Sequence, residues 1–227
     1  MKKITKRESP DWFEAWKTNF RTIHNRAPHY KTDFSTGDQD GAKRRKSLRQ
    51  QLVEEQGAIC CYCMRRISVN TSHIEHFWPK DVFLDKDLNY DNLFASCNGV
   101  ERAEDEYVYE MDEHCGHRKN DWWRTDMVCL TDDGIEAMFR YFPNGEVKSV
   151  QGRSTSNIAQ EMIHNLGLDS YHLVRERRLA IEASEFYDAE PYTAEEIRDF
   201  IEYYSNKNNG FYEPYCKAIV DCLETIL

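Results

Sequence analysis

Cys60-Cys61-Tyr62-Cys63, followed by His73-Ile74-Glu75-His76-Phe77-Trp78-Pro79-Lys80, decides how the rest of this chain is read. Cys60 and Cys63 stand two residues apart, a spacing that presents two thiolates from one tight turn. A tetrahedral zinc needs two more ligands, and Cys97 and Cys115 are the natural pair. Four thiolates leave no open position for water, so such a site is structural. The second pair is more widely separated than in a zinc ribbon, and an acidic insertion at 100–114 accounts for the gap. Cys61 sits inside the ligand run and can replace Cys60 on spacing alone. With no apolar leader after the basic start MKKITKRESP, the expected compartment is the cytoplasm, where eight cysteines signal metal rather than disulfides. Cys129, Cys216 and Cys222 lie away from the cluster and read as buried or half-buried thiols.

The segment between the cysteines carries a different chemistry. Glu75-His76 places a carboxylate beside an imidazole. With an ordinary pKa of about 6.5, His76 suits proton abstraction from water near neutral pH. Glu75 suits a divalent cation. In an extended segment these neighbours point to opposite sides, so twist or a bulge must bring them to one site. Asn92, at the end of Leu88-Asn89-Tyr90-Asp91-Asn92, suits fixing the backbone or orienting His76. His117 follows Cys115 by two residues and is the expected second ligand of the catalytic ion, with His114 and Asn120 as alternatives. His73 either braces this site or packs. His24, His29, His164 and His172 read as ordinary surface or core histidines.

The order Cys-x2-Cys, Glu-His-x2-Pro-Lys, Asn-Leu, Cys, Cys-x3-Lys resembles the HNH endonuclease family with its ββα-metal core. More narrowly, the chain resembles the HNH proteins of bacterial anti-phage systems, of the Septu (PtuB) and retron types. Leu52-Val53-Glu54-Glu55-Gln56-Gly57 ahead of Ile59-Cys60, and the later Asn165-Leu166-Gly167-Leu168, extend the likeness beyond the core. The resemblance implies hydrolysis of nucleic-acid phosphodiesters, DNA or RNA. It assigns His76 as general base, Glu75 as the acidic metal position, Asn92 as the middle asparagine, and Mg²⁺ or Mn²⁺ as the catalytic ion beside structural Zn²⁺. It also implies a companion ATPase of the PtuA type and, in retrons, a reverse transcriptase with its RNA–DNA product. Many members have His or Asn directly after the last zinc cysteine, where this chain has Gly116.

Charge is uneven along the chain. Residues 1–80 hold 16 Lys and Arg against 9 Asp and Glu, and residues 81–227 hold 14 against 31. Binding follows the local field within a Debye length of about 10 Å. The net charge of −10 therefore does not exclude phosphate contacts in the first part, while the acidic part suits a protein partner. Lys43, Arg44, Arg45, Lys46 and Arg49, with Lys80 and Lys119, are the expected nucleic-acid contacts. The first four oppose the macrodipole of the helix predicted over 42–56, which favours a binding role.

The expected fold is α+β and mostly helical: a ββα-metal core with a zinc knuckle, flanked by N-terminal helices and a C-terminal helical region. Residues 1–56 form an N-terminal helical basic region, 57–125 the nuclease core, and 126–227 a hairpin plus helices. Trp12, Trp16 and Phe20 predict one stripe of a helix over 11–22, and 25–41 reads as a loop. A hairpin-like element is expected within 58–80, and a second over 135–150 turning at Asn144-Gly145. Asp169 is the expected cap of one later helix, and Thr193-Ala194-Glu195-Glu196 a capping box for the next. Trp122-Trp123 are expected in packing rather than base stacking. No apolar run is long enough to span a membrane.

Overall fold

The computed structural model describes residues 1–36, 39–101, 112–184 and 192–227. Seven α-helices, a π-helical turn, two 3-10 turns and three two-stranded antiparallel sheets make the architecture α+β and mostly helical among these residues. One buried apolar cluster runs from Met1 to Leu223 and includes residues of all three predicted segments.

Helix α1 (Asp11–His24) carries acidic residues in its first turn and basic ones in its last, matching its dipole. It buries Phe13 and Lys17, whereas Trp12 is exposed, so the inward stripe is shifted by one residue from the expected one. The predicted loop at 25–41 contains a π-helical turn, Tyr30–Phe34, whose Phe34 packs edge-on against Phe13 and Trp16 at 5.3 and 5.1 Å. Helix α2 (Gly41–Glu55) buries Leu48, Leu52 and Val53 as its sequence predicts. Gly57 follows its cap with φ +66 and donates to Glu54 O, while Ala58 donates to Val53 O at 2.9 Å. This pair of bonds is a Schellman stop, which needs a left-handed residue and so favours glycine.

The hairpin-like element expected within 58–80 is present around the cysteines but ends near Ile67 rather than at Pro79. Strand β1 (Ser72–His76) pairs with β2 (Leu93–Cys97), not with the cysteine turn, in the register Ser72↔Cys97 to His76↔Leu93. The cysteine turn is a separate unit closed by the bridge Ile59↔Arg66. Short strands β3 (Val100–Glu101) and β4 (Asp112–Glu113) pair across the acidic insertion. The insertion's residues 102–111 lie outside the described residues, and its last residue, His114, is fully buried rather than exposed. Helix α3 (Cys115–Lys119) follows and packs on β2.

The second hairpin is present as β5 (Phe139–Tyr141) and β6 (Val147–Ser149). Helices α4 (Ser156–Asn165), α5 (Tyr171–Glu182), α6 (Ala194–Ser205) and α7 (Cys216–Leu223) complete the chain. Ser170, not Asp169, stands at the N-cap of α5. The capping box of α6 is formed, with Thr193 accepting from the Glu196 amide and Glu196 reaching back to the Thr193 amide. No helix among the described residues is long and apolar enough to cross a membrane.

Candidate metal centre and active-site cleft

The cysteine turn docks on β2 through a buried amide. Gln56 Nε2 donates to Ala95 O at 2.8 Å, its Oε1 accepts from Ala95 N at 2.7 Å, and Cys61 N donates to the same carbonyl at 3.1 Å. This seats Cys60 and Cys63 against Cys97 at the end of β2. Cys115 joins from the start of α3, where its positive φ of 57 is unusual for a side-chain-bearing residue. The ligand atoms of Cys60, Cys63, Cys97 and Cys115 all lie within 4.8 Å of one another, and all four residues are buried. Cys61 is buried outside this set, which settles the open choice in favour of Cys60.

The sulfurs are poised for a cation. Burial pushes the Cys60 thiol up, but donation from the neighbouring cysteine thiols, Cys115 foremost, outweighs it and holds Cys60 well below its usual range. At Cys115, burial and the negative sulfur of Cys60 push the thiol well up. Cys97 gains from a bond with Cys115, yet its bonds with Cys60 and Cys63 and its burial push it up as well. Soft sulfur donors in a tetrad this tight fit zinc. His114 stands behind the set, with Nδ1 3.2 Å from Cys115 Sγ and 3.7 Å from Cys97 Sγ. It faces the sulfurs, not the cleft beyond them.

A cleft of about 250 Å³ opens beside the cluster, lined by both Glu75 and His76 from the end of β1, by Lys80, and by Gly116 and His117 of α3. The predicted difficulty of aiming adjacent residues at one place is met where β1 ends at His76. The His76 ring is buried, packs edge-on against Tyr30 at 4.5 Å, and places Nε2 2.9 Å from Asp87 O. A proton on Nε2 donates to that carbonyl and leaves Nδ1 as the basic nitrogen. Burial, reinforced by Lys80, lowers the His76 pKa to about 4, so the ring is neutral at physiological pH.

Glu75 is buried as a carboxylate. Its Oε1 accepts from Tyr62 Oη at 3.0 Å and lies 3.1 Å from Lys119 Nζ, while Oε2 lies 3.4 Å from His73 Nε2. Burial alone would raise its pKa, but Lys119 and then His73 pull it down to about 2. Lys119 is completely buried and also donates to His76 O at 3.0 Å. The expectation that it faces nucleic acid is therefore corrected: its ammonium is enclosed and bonds the two site residues. Asn92 is buried and clamps the loop after β1. It accepts from Trp78 N at 2.7 Å and donates to Trp78 O at 2.9 Å and Lys86 O at 3.0 Å. Trp123 packs on Phe83 and Trp78 at 4.8 and 6.3 Å, a packing role as expected.

The basic residues of α2 divide. Arg44 donates to Asp33 O and Phe34 O and lies over the Trp16 ring, Arg45 donates to Ser35 O, and Arg49 donates to Ser72 O at 2.7 Å. These three tie α2 to the π-helical turn and to β1, which explains basic residues at an end the dipole disfavours. Lys43 pairs with Asp40 at 2.9 Å, and Lys46 is exposed. Lys80 borders the cleft with its Nζ 3.9 Å from Asp81 Oδ2. Sequence reasoning did not find Tyr62, Gln56 or the Asp87 carbonyl. Only Tyr62, between two zinc cysteines, carried a signal, and it was positional.

No protein-family model matches the chain. A curated protein of Vibrio cholerae serotype O1 biovar El Tor, named "Retron Vc95 putative HNH endonuclease", is 28% identical over 155 residues, which cover 66% of this chain and 70% of that protein. The chain resembles an HNH endonuclease. Glu75-His76 and the residues after Cys115 meet in one cleft.

Proposed function

We propose that this chain is a metal-dependent HNH endonuclease that hydrolyses nucleic-acid phosphodiesters. It would act as the cytoplasmic effector of a Septu- or retron-type anti-phage system beside an ATPase partner. The observation that carries the reading is the shared cleft: a neutral, oriented imidazole and an ionised carboxylate stand together beside a buried four-cysteine cluster. In this reading β1, β2 and α3 form the ββα-metal core, residues 57–125 are the nuclease unit, and the flanking segments brace it. The retron name of the relative supports the defence setting; a reverse transcriptase with its RNA–DNA product would be a further partner in a system of that type.

Cys60, Cys63, Cys97 and Cys115 would hold Zn²⁺, and Glu75 with His117 would hold Mg²⁺ or Mn²⁺. The donor chemistry fits: four buried thiols suit zinc, and an ionised carboxylate beside an imidazole on an open cleft suits a labile divalent ion. When bound, that ion supplies charge stabilisation to the phosphate and the leaving oxygen. The residues of the chain do the rest. His76 takes a proton from the attacking water at Nδ1, because Asp87 O fixes the other nitrogen. Asn92 holds the loop backbone from Trp78 to Lys86 and so keeps Asp87 in reach of His76. Lys119 keeps Glu75 ionised and ties it to the His76 backbone. Lys80 at the rim, with the exposed Lys43 and Lys46, would position the strand through its phosphates.

The test is cleavage of plasmid DNA and total tRNA in Mg²⁺ or Mn²⁺, comparing the wild type with His76→Ala, alone and with the cognate ATPase. Loss of cleavage with zinc content and folding intact supports the reading. A wild type that binds nucleic acid or the ATPase but cleaves nothing under any of these conditions favours a non-catalytic zinc-stapled binding module instead.

A further inference from the structure

The position that follows the last zinc cysteine has no side chain, and the space beside it is already filled. A Cβ built on Gly116 would stand 2.4 Å from His73 Nε2 and 2.5 Å from Glu75 Oε2, closer than real contacts allow. Gly116 does not have a positive φ, so its backbone accepts any residue and the glycine is required by the neighbours. Those neighbours are the two residues of β1 whose side chains share one face at i and i+2. His73 thus brings an imidazole nitrogen from the strand to the place where a ligand from α3 would otherwise emerge.

We infer that His73 is a ligand of the cleft's divalent ion, with Glu75 and His117, and that it replaces the side chain absent at Gly116. The inference rests on the nuclease reading of the cleft and names the donor set of that same site. His73 Nε2 lies 3.4 Å from Glu75 Oε2, and the His73 and His117 rings stand edge to face with centroids 5.4 Å apart. Among the described residues only the four cysteines already bring three or more ligand atoms within 4.8 Å of one another. His117 is exposed on α3 and already lines the cleft, so a rotation of its side chain toward Glu75 completes the set. His73 Nδ1 is buried without a partner, and Nε2 is the ring nitrogen aimed at the Glu75 carboxylate. A pure packing role would not place two potential ligand atoms where a Cβ would sit.

The experiment measures Mn²⁺ binding to zinc-loaded full-length protein by the loss of the free-ion electron paramagnetic resonance signal. It uses the wild type, His73→Ala, Gly116→His and the double variant His73→Ala/Gly116→His, with zinc content and thermal unfolding recorded for each. The expected result is a loss of affinity of about tenfold or more in His73→Ala. The double variant removes the clash with His73 but still presses on Glu75 Oε2, so it recovers affinity only as far as that carboxylate can shift, while Gly116→His alone clashes with both and does not bind better than wild type. Equal Mn²⁺ affinity in wild type and His73→Ala, with wild type binding and cleaving, overturns the assignment of His73 and leaves the nuclease reading standing. If His73→Ala fails to fold, His73→Leu decides: folded protein with wild-type Mn²⁺ affinity overturns the inference, and a loss of about tenfold or more supports it. A wild type that neither binds Mn²⁺ nor cleaves overturns the nuclease reading and this inference with it.

Discussion

Lys119→Met tests how the cleft is held. Lys119 is fully buried with Nζ 3.1 Å from Glu75 Oε1, and the methionine keeps much of the volume while removing the charge. The carboxyl of Glu75 sits at about 2 against an ordinary value of 4.5. That difference corresponds to about 3 kcal/mol of preference for the ionised form. Lys119 supplies the largest pull in that direction, ahead of His73. Removing one member of a buried pair costs about 3–5 kcal/mol by a separate route, because the survivor is left uncompensated. The expected loss at neutral pH is therefore about 3 kcal/mol, or a fall in Tm of about 6–12 °C for a chain of this size.

The pH dependence has a definite sign. A carboxyl whose pKa is depressed by folding contributes stability above its unfolded value, near 4.5, and loses it as pH falls toward 2. Without Lys119 the Glu75 pKa rises, so the variant loses less on acidification and the gap between the proteins narrows. Denaturant unfolding of zinc-loaded protein at about pH 7.5 and pH 5.5 should then find wild type unchanged, since its window lies below 4.5, and the variant regaining stability at the lower pH, because burial without Lys119 pushes the Glu75 carboxyl up. The companion Glu75→Gln/Lys119→Met should be more stable than the sum of its single changes, since both charges are gone. A Lys119→Met protein within about 0.5 kcal/mol of wild type at pH 7.5, or a strictly additive double variant, would refute the claim that this pair supports the site.

Metal analysis should find one zinc per chain in wild type and in Cys61→Ala, and none in Cys97→Ala; loss of zinc from Cys61→Ala would overturn the ligand set. Asn92→Ala leaves two carbonyls and an amide of the Trp78–Lys86 loop without their partner, so it should destabilise by about 2–3 kcal/mol in denaturant unfolding. Because burial holds His76 down at about 4, its basic form persists well into mild acid. The cleavage rate at limiting substrate should then stay flat from about pH 8 to about pH 5.5, and an acid limb near 6.5 would show that the base is an unperturbed histidine.

The parts of the site that sequence revealed are those set by spacing and residue type. The four cysteines were legible because zinc ligation demands them, and Glu75-His76 because a base beside a carboxylate has little structural use. What sequence left open depends on tertiary direction. Lys119 looks like a surface cation on the residue pattern of α3, but packing of that helix on β2 turns its ammonium inward to Glu75. Arg44, Arg45 and Arg49 form a basic stripe in sequence, yet carbonyls brought by the π-helical turn and by β1 take their guanidinium groups. The turn itself, Tyr30–Phe34, was hidden by its polar neighbours, and only Phe34 reaches the core deeply. The pairing of β1 with β2 was missed because sixteen residues of loop separate two strands that read more easily as local turns.

The cysteine cluster and the cleft are joined through α3. This helix has five residues, far below the length at which a helix is stable alone, about 12–15 residues. Its first residue, Cys115, is a member of the sulfur tetrad, and its last, Lys119, is buried against Glu75. Between them lie Gly116, which leaves room for His73 and Glu75, and His117, which faces the cleft. A metal held by the four cysteines would fix one end of the helix, and the buried ion pair fixes the other. Loss of either is expected to loosen Gly116 and His117 together from β1, because the helix between these ends is too short to hold its own shape.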